Sequence, residues 1–422
     1  MSISTPADKG PGGERIADTD WRRNFGLLWT GTTLTQFGTV ITLIAYTLLA
    51  LAMTGSPVFA GWVVFAGMAP GAILSLPAGV LADRLDRRTV LVTSQLVRAG
   101  SVVVLPLTLA TGHAVPALLL VVAFVDGTCT TIYSVTEVAL LPQLVPAESL
   151  TVAISRNESR LHLALLAGRP LGGLLFGLSR VLPFAFNAAA ALVAAALAWQ
   201  LRTSGSDTAP KAGGTSFTAL WSDLREGLTW VRRHRVVRLT IAHDTLQNFL
   251  MQALSLTVIA HAVERGYAGW FIGLILAASG VGGLLGSYFA ASTVRGRSLR
   301  QVLIATGWVW AAFATLLAVS DRPLVVLIAF ATYGVNASHT NVAVTNYQTR
   351  AVPRELLGRV MSVDRCFSMG VVPLGGLAGG YLIPAIGAHR SLVLMATIGG
   401  LWAVALTVSM RRIPASAEPV TG

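Results

Sequence analysis

Twelve apolar runs follow one another along the chain, at 25–52, 59–82, 89–111, 115–143, 161–179, 181–201, 239–263, 266–294, 301–320, 323–349, 360–388 and 391–410. A helix needs about 20 residues to cross bilayer hydrocarbon, and these runs have that length. Seven of them (the first, second, sixth, eighth, ninth, tenth and twelfth) hold no Asp, Glu, Lys or Arg. Barrel strands would need only about 10 residues and would alternate in polarity. The pattern therefore predicts an all-α membrane protein with twelve transmembrane helices in two pseudo-symmetric six-helix halves.

The pattern breaks once, at 202–236. Thr203–Thr215 is rich in Ser, Gly, Pro and Thr and reads as a linker. After it, Phe217, Leu220, Trp221, Leu224, Leu228 and Val231 recur at helical spacing among Arg225, Arg232, Arg233 and Arg235. That predicts an amphipathic helix on the inner membrane surface. The expected division is a disordered cytoplasmic tail at 1–24, a first half at 25–201, the linker with its helix at 202–236, a second half at 237–410 and a tail at 411–422. The first tail has no apolar core, so it is not read as a signal peptide.

Composition agrees. Hydrophobic residues make up 54% of the 422, charged residues 12%, and the mean hydropathy is +0.66. Soluble domains carry about 25% charged residues. The net charge of +12 raises the question of nucleic acid, but its placement answers it. Of 31 basic residues, 24 fall on the side of the termini and the loops after even-numbered spans; four (Arg180, Arg265, Arg322, Arg390) fall opposite, and three (Arg98, Arg169, Arg365) fall within spans. This asymmetry predicts both termini in the cytoplasm, with the lipid bilayer and not nucleic acid as the partner. Cys129 and Cys366 lie in separate spans and form neither a disulfide framework nor a metal cluster.

The halves repeat. Leu144-Val-Pro-Ala-Glu148 matches Ala351-Val-Pro-Arg-Glu355 at an offset of 207, and Pro170-Leu-Gly-Gly-Leu174 recurs as Pro373-Leu-Gly-Gly-Leu377 at 203. Between the second and third spans stands Gly79-Val-Leu-Ala-Asp83-Arg84-Leu-Asp86-Arg87-Arg88. It resembles the signature loop of the major facilitator superfamily, with Asp86 in place of its second glycine. The resemblance implies a loop that latches the halves through the eleventh helix in the outward-open state. Gly79 would let helices approach, Asp83 would meet a helix N-terminus, and Arg84, Arg87 and Arg88 would hold the loop at the cytoplasmic face. Asp86 is expected to keep the turn because Asp tolerates a left-handed backbone.

A narrower resemblance rests on Ala139–Pro146, Arg156–Arg160, Gly168–Gly173, Leu224–Gly227 and Val352–Ser362. These segments are similar to the branch that includes enterobactin and macrolide exporters, proton-linked pumps of the bacterial plasma membrane. Gly168–Gly173 also resembles the antiporter motif of the fifth helix, which has no charge where Arg169 stands.

In this superfamily the first, fourth, seventh and tenth helices line the substrate cavity. Polar residues gather in those spans: Gln36 in the first, Asp126 in the fourth, His243, Asp244, Gln247 and Asn248 in the seventh, and Tyr333, Asn336, His339 and Asn341 in the tenth. Polar groups in a span usually face a cavity or a partner. Asp244, Asp126 and His243 are candidate proton carriers, Asp244 first because of its polar company. Arg169 is a candidate for an anionic cargo group or for an ion pair with a carboxylate such as Asp126. Glu158, Arg160, Asp364 and Arg365 are candidates for a cytoplasmic gate of ion pairs.

No H-E-x-x-H, G-x-S-x-G or Walker A sequence is present, which argues against an enzyme and against intrinsic ATP hydrolysis. The expected function is proton-coupled efflux of a small amphipathic molecule such as a drug, antibiotic or siderophore-like metabolite, by a monomer without cofactor or metal. An importer, a lipid flippase or a non-transporting receptor on the same fold are the alternatives. Cysteines introduced at Ser206 and Thr54 should label from opposite membrane faces; labelling from one face would overturn the twelve-span map.

Overall fold

A computed structural model describes residues 18–113, 115–201, 217–294 and 296–412. Of the expected tails at 1–24 and 411–422, residues 1–17 and 413–422 lie outside the described residues, as does the linker stretch Thr203–Thr215; residues 18–24, expected in the tail, form the first turns of α1. The chain folds into α1 (Asp18–Thr54), α2 (Pro57–Ile73), α3 (Ser75–Arg84), α4 (Arg87–Ala110), α5 (Pro116–Leu144), α6 (Ala147–Leu178), α7 (Leu182–Trp199), α8 (Phe217–Arg233), α9 (Arg235–Glu264), α10 (Gly269–Val294), α11 (Leu299–Val319), α12 (Pro323–Ala351), α13 (Arg354–Gly370), α14 (Val372–Ile386) and α15 (Ala388–Arg411).

Every apolar run falls on this series. The second is shared by α2 and α3 and the eleventh by α13 and α14. Among the described residues nine helices are long and apolar enough to span, or ten with the bent α2–α3 pair. The apolar part of α6 is shorter, Leu163–Leu178, because its first half is polar. The remaining helix is α12, whose Asn336, His339, Asn341, Asn346 and Gln348 lower its hydropathy. The α13–α14 break sits where Pro373 enters the first turn of a new helix, a position that needs no N–H donor.

Three apolar clusters show how the helices pack. One joins the start of α1 and α4 to the ends of α5 and α7 through Phe25, Leu28, Leu91, Leu141 and Leu201. A second joins α8, the starts of α9, α11 and α13, and the ends of α12 and α15, through Val231, Val237, Leu303, Val360 and Met410. The third is shared: Ile44–Leu51 of α1, Val63 of α2 and Phe184 of α7 pack in one core with Leu254 of α9, Ile272 of α10, Phe330 of α12 and Ile383 of α14. The two groups of helices therefore keep separate cores on the side where α8 lies and merge on the far side.

Glycines make the merger close. A Cβ on Gly61 of α2 would stand 2.9 Å from the Gly376 carbonyl of α14, and one on Gly269 of α10 2.8 Å from the Gly173 carbonyl of α6. Helix α8 departs from its expected setting. Leu224, Leu228 and Val231 are covered by Val360 and Val363 of α13 instead of lying free on lipid.

Gly127 of α5 faces the Gly67 carbonyl of α2, and a methyl group there would overlap it. Gly127→Ala should lower stability by about 1–3 kcal/mol, read as a fall in the thermal unfolding midpoint in detergent. An unchanged midpoint would mean that α2 and α5 are not in this contact.

Candidate functional site

A cavity of about 900 Å³ opens between the two helix groups on the α8 side. Its first wall is Thr39, Thr42, Leu43 and Tyr46 of α1, Gly67–Ala72 of α2 and Ala123–Val135 of α5. Its second is α13, from Glu355 to Met369, and the third is Asp223 and Leu224 of α8. The shared core closes the far end.

At the inner wall lies a buried ion pair. Arg98 of α4 is 0% exposed, and its Nε donates to Asp126 Oδ1 at 2.6 Å. Its Nη2 donates to Thr39 Oγ1 at 2.8 Å. The other carboxylate oxygen accepts from Tyr46 Oη at 3.1 Å, and Asn187 Nδ2 lies 3.5 Å from both. Four helices thus converge on one carboxylate that also lines the cavity. A buried charge is tolerated only with a partner and further hydrogen bonds, and both are present. Sequence reading placed Arg98 in a span but assigned it nothing; a lone mid-span arginine was the available signal.

The residues expected around the cavity are placed differently. Asp126 and Arg365 are on its walls; Gln36, Gln247, Asn248, Tyr333, Asn336, His339, Asn341 and Arg169 stand off them in this conformation. Of these, Arg169 and His339 bond to a neighbouring helix. Trp402 Nε1 donates to His243 Nδ1 at 2.9 Å. An indole N–H only donates, so Nδ1 bears no proton. The neutral ring then carries it on Nε2, which lies 2.9 Å from Gln247 Nε2; two donors cannot share that contact, so the amide must turn its oxygen to the ring. His243 and Gln247 therefore face α15, and the seventh-span stripe divides. His339 accepts from Thr293 Oγ1 at 2.6 Å and donates to the Val335 carbonyl at 2.8 Å, joining α12 to α10.

Arg169 does not reach Asp126. Its Nη1 donates to the Leu276 carbonyl at 2.7 Å and Ser279 Oγ at 2.9 Å, across the α6–α10 contact. Tyr333 stacks on Phe313 and lies within Coulombic range of Arg169 and Asp244. Asp244 makes no hydrogen bond among the described residues and lies within Coulombic range of Asp364.

The gate set is rearranged as well. Arg160 pairs with Glu137 of α5 at 3.5 Å, and Asn157 donates to the same carboxylate at 3.0 Å. Asp364 accepts from Gln348 at 2.9 Å and Ser368 at 2.8 Å. The side chain of Glu158 lies outside the described residues.

In the signature loop, Asp83 pairs with Arg87 at 3.3 Å, Arg87 Nη1 donates to the Ala139 carbonyl at 2.8 Å, and Arg88 donates to the Trp199 carbonyl. Arg84 is exposed, and a Cβ on Gly79 would meet nothing. Gly79 thus mediates no close approach here, because α3 packs on α5 and not on α13. Asp86 is not left-handed: its φ is −58°. It caps α4, accepting from Thr89 N at 2.9 Å and Thr89 Oγ1 at 2.6 Å. Slight burial acts to raise its carboxyl, but the Thr89 bonds outweigh it and hold the group below the usual carboxylate range. The cap therefore stabilises fully above the usual carboxylate range and is lost as pH falls below it, through the lowered value of the folded state.

Among the described residues no group of three or more His, Cys, Asp or Glu is arranged to hold a metal ion.

The sequence model described as Major Facilitator Superfamily matches residues 28–369. The chain is 28% identical over 372 residues to the multidrug efflux pump Tap of Mycolicibacterium fortuitum, covering 85% of this chain and 88% of that protein. It is 21% identical over 395 residues to macrolide efflux protein A of Streptococcus pyogenes, covering 90% and 94%. It is 26% identical over 388 residues to the MFS-type transporter y4rN of Sinorhizobium fredii, covering 90% and 92%. The fold is similar to the nucleoside transporter NupG, with TM-score 0.68 at 14% identity over 93% of this chain and 99% of that one. It is also similar to an inward-facing bacterial homologue of the lysosomal transporter Spinster, with TM-score 0.64 at 13% identity over 96% and 100%.

Arg98→Leu should strand a buried carboxylate and cost about 3–5 kcal/mol. Adding Asp126→Leu should recover most of that loss. Thermal unfolding of the single and double variants decides it; a single variant as stable as the parent would mean that the pair is not buried as described.

Proposed function

Because the chain belongs to the Major Facilitator Superfamily, we propose that it is a proton-driven exporter of an amphipathic small molecule, working by alternating closure of two six-helix halves at 25–201 and 237–410. The observation that carries this reading is a carboxylate, Asp126, held by a buried arginine on the wall of a largely apolar cavity. A proton on Asp126 cancels the charge that holds Arg98 and changes its bonds to α1 and α7. Leu43, Met68, Ala123, Val135 and Met369 give the cavity the surface that an apolar cargo needs. The two efflux proteins among the relatives support export over import.

Arg225, Arg232, Arg233, Arg235 and Arg238 cluster around α8 and the start of α9, which supports a cytoplasmic position for that side and for both termini. The cavity is then open to the cytoplasm, ready to load. The membrane is the bacterial plasma membrane. One chain supplies every wall of the cavity, which favours a working monomer. In this state the signature loop stands apart from α13; it latches when the mouth closes. Coupling is assigned first to Asp126 and second to Asp244, the reverse of the order from sequence, because Asp126 is on the cavity wall. His243 is dropped, since both ring nitrogens are engaged.

The test uses proteoliposomes with a panel of macrolides and cationic dyes. Asp126→Asn should abolish efflux driven by a pH gradient and leave downhill counterflow intact. Wild-type pumping by Asp126→Asn, together with its loss in Asp244→Asn, would move the coupling site to the second half. Normal pumping by both variants would overturn proton coupling at these carboxylates.

A further inference from the structure

We propose that Arg359 is a positioning residue that fastens α8 to α13, so that the helix after the inter-half linker forms a wall of the cavity and moves with the second half as part of its gate. This rests on reading the cavity as the cargo chamber.

The fastening has three components. The first is ionic. Arg359 Nε lies 2.9 Å from Asp223 Oδ1, and its Nη1 lies 2.6 Å from Glu226 Oε2. Asp223 and Glu226 are three residues apart, so they share a helix face. One half-exposed ion pair contributes little. A planar guanidinium gripping two carboxylates of one turn also fixes the rotation of that helix about its axis.

The second is steric. Gly227 lies one residue on, where a Cβ would stand 2.8 Å from the Arg359 carbonyl oxygen and 3.1 Å from the Val363 side chain. Only glycine lets the two backbones approach this closely. The third is apolar: Leu224, Leu228 and Val231 pack with Val360 and Val363 in a core shared with α9, α11, α12 and α15. No comparable packing joins α8 to α1–α7 among the described residues.

The consequence for the cavity is direct. Asp223 and Leu224 line it beside Glu355, Gly358, Arg359 and Ser362 of α13, opposite Thr130, Thr131 and Val135 of α5. Helix α8 thus widens the wall that α13 presents to cargo. Without the guanidinium, Asp223, Glu226 and Glu355 would repel one another at the mouth. The two segments Leu224–Gly227 and Val352–Ser362, far apart in the chain, are the two sides of this one interface.

The native Cys366 reports on the wall, because it lines the cavity and is exposed. With Cys129→Ser it is the sole thiol of the full chain in nanodiscs, and fluorescein maleimide is the probe. Arg359→Glu should label about three- to tenfold faster than the parent, the fold-change that two half-exposed pairs represent. Combining it with Asp223→Arg and Glu226→Arg should return the parental rate. An unchanged rate in Arg359→Glu, or no return in the swapped variant, would overturn the proposal. Spin labels in a cysteine-free chain test the movement independently of labelling rate. The Thr229–Met361 distance should stay narrow and constant while Thr229–Gln143 changes as the mouth closes; the opposite pattern would also overturn it. If Cys366 resists labelling in every variant, the chamber reading fails together with this inference. Ready labelling of Cys366 that is indifferent to Arg359 defeats the inference alone.

Discussion

The apolar core is continuous at one end of the molecule and divided at the other. Leu48 and Leu49 of α1 share a core with Leu254, Phe313 and Ile383 of the later helices, whereas Phe25 and Leu28 of the same helix pack only within α1–α7. The cavity is the space between the divided cores. Lipid gives helices little reason to associate through apolar area alone, so close packing must hold them. That explains why the undivided end is rich in glycine contacts, such as Gly61 on Gly376 and Gly269 on Gly173. These contacts depend on shape and not on hydrogen bonds.

Polar groups inside the spans serve two different needs. His243 of α9 and His339 of α12 are bonded to neighbouring helices, the first to Trp402 of α15 and the second to Thr293 of α10. Both ring nitrogens of His243 are engaged, one of them by a neighbouring helix. The Arg98–Asp126 pair differs because the same carboxylate is both deeply bonded and on a cavity wall. Its bonds reach α1 through Tyr46 and α7 through Asn187. The first helix group therefore has a charged centre tied to its own packing.

The spans, the helical class and the signature loop were legible because each rests on local pattern: run length, charge placement and spacing. The lining of the cavity was not. Periodicity identified His243 and Gln247 as one face of α9 but could not say whether that face meets water or α15. Gln36 lies one turn from Thr39 and Thr32, yet it is Thr39 and Thr42 that reach the cavity. Arg98 was visible as a lone cation in the third span, and its partner, 28 positions away, was visible too. Pairing them required knowing which helices are neighbours. Arg359 lay in the family-like segment Val352–Ser362, but nothing in that pattern pointed to Asp223 and Glu226 as its partners.

Asp86 shows how a departure from a family pattern acquires a reason only in three dimensions. Where the pattern has glycine, backbone freedom was the natural explanation for what a replacement must supply. The backbone at Asp86 is ordinary, and its side chain instead closes the N-terminus of α4 through Thr89. The same loop keeps Asp83 and Arg84 exposed beside it. A capped α4 holds its own first turn through bonds made at its own cap. The substitution thus exchanges backbone freedom for a side-chain cap at the point where the loop becomes α4.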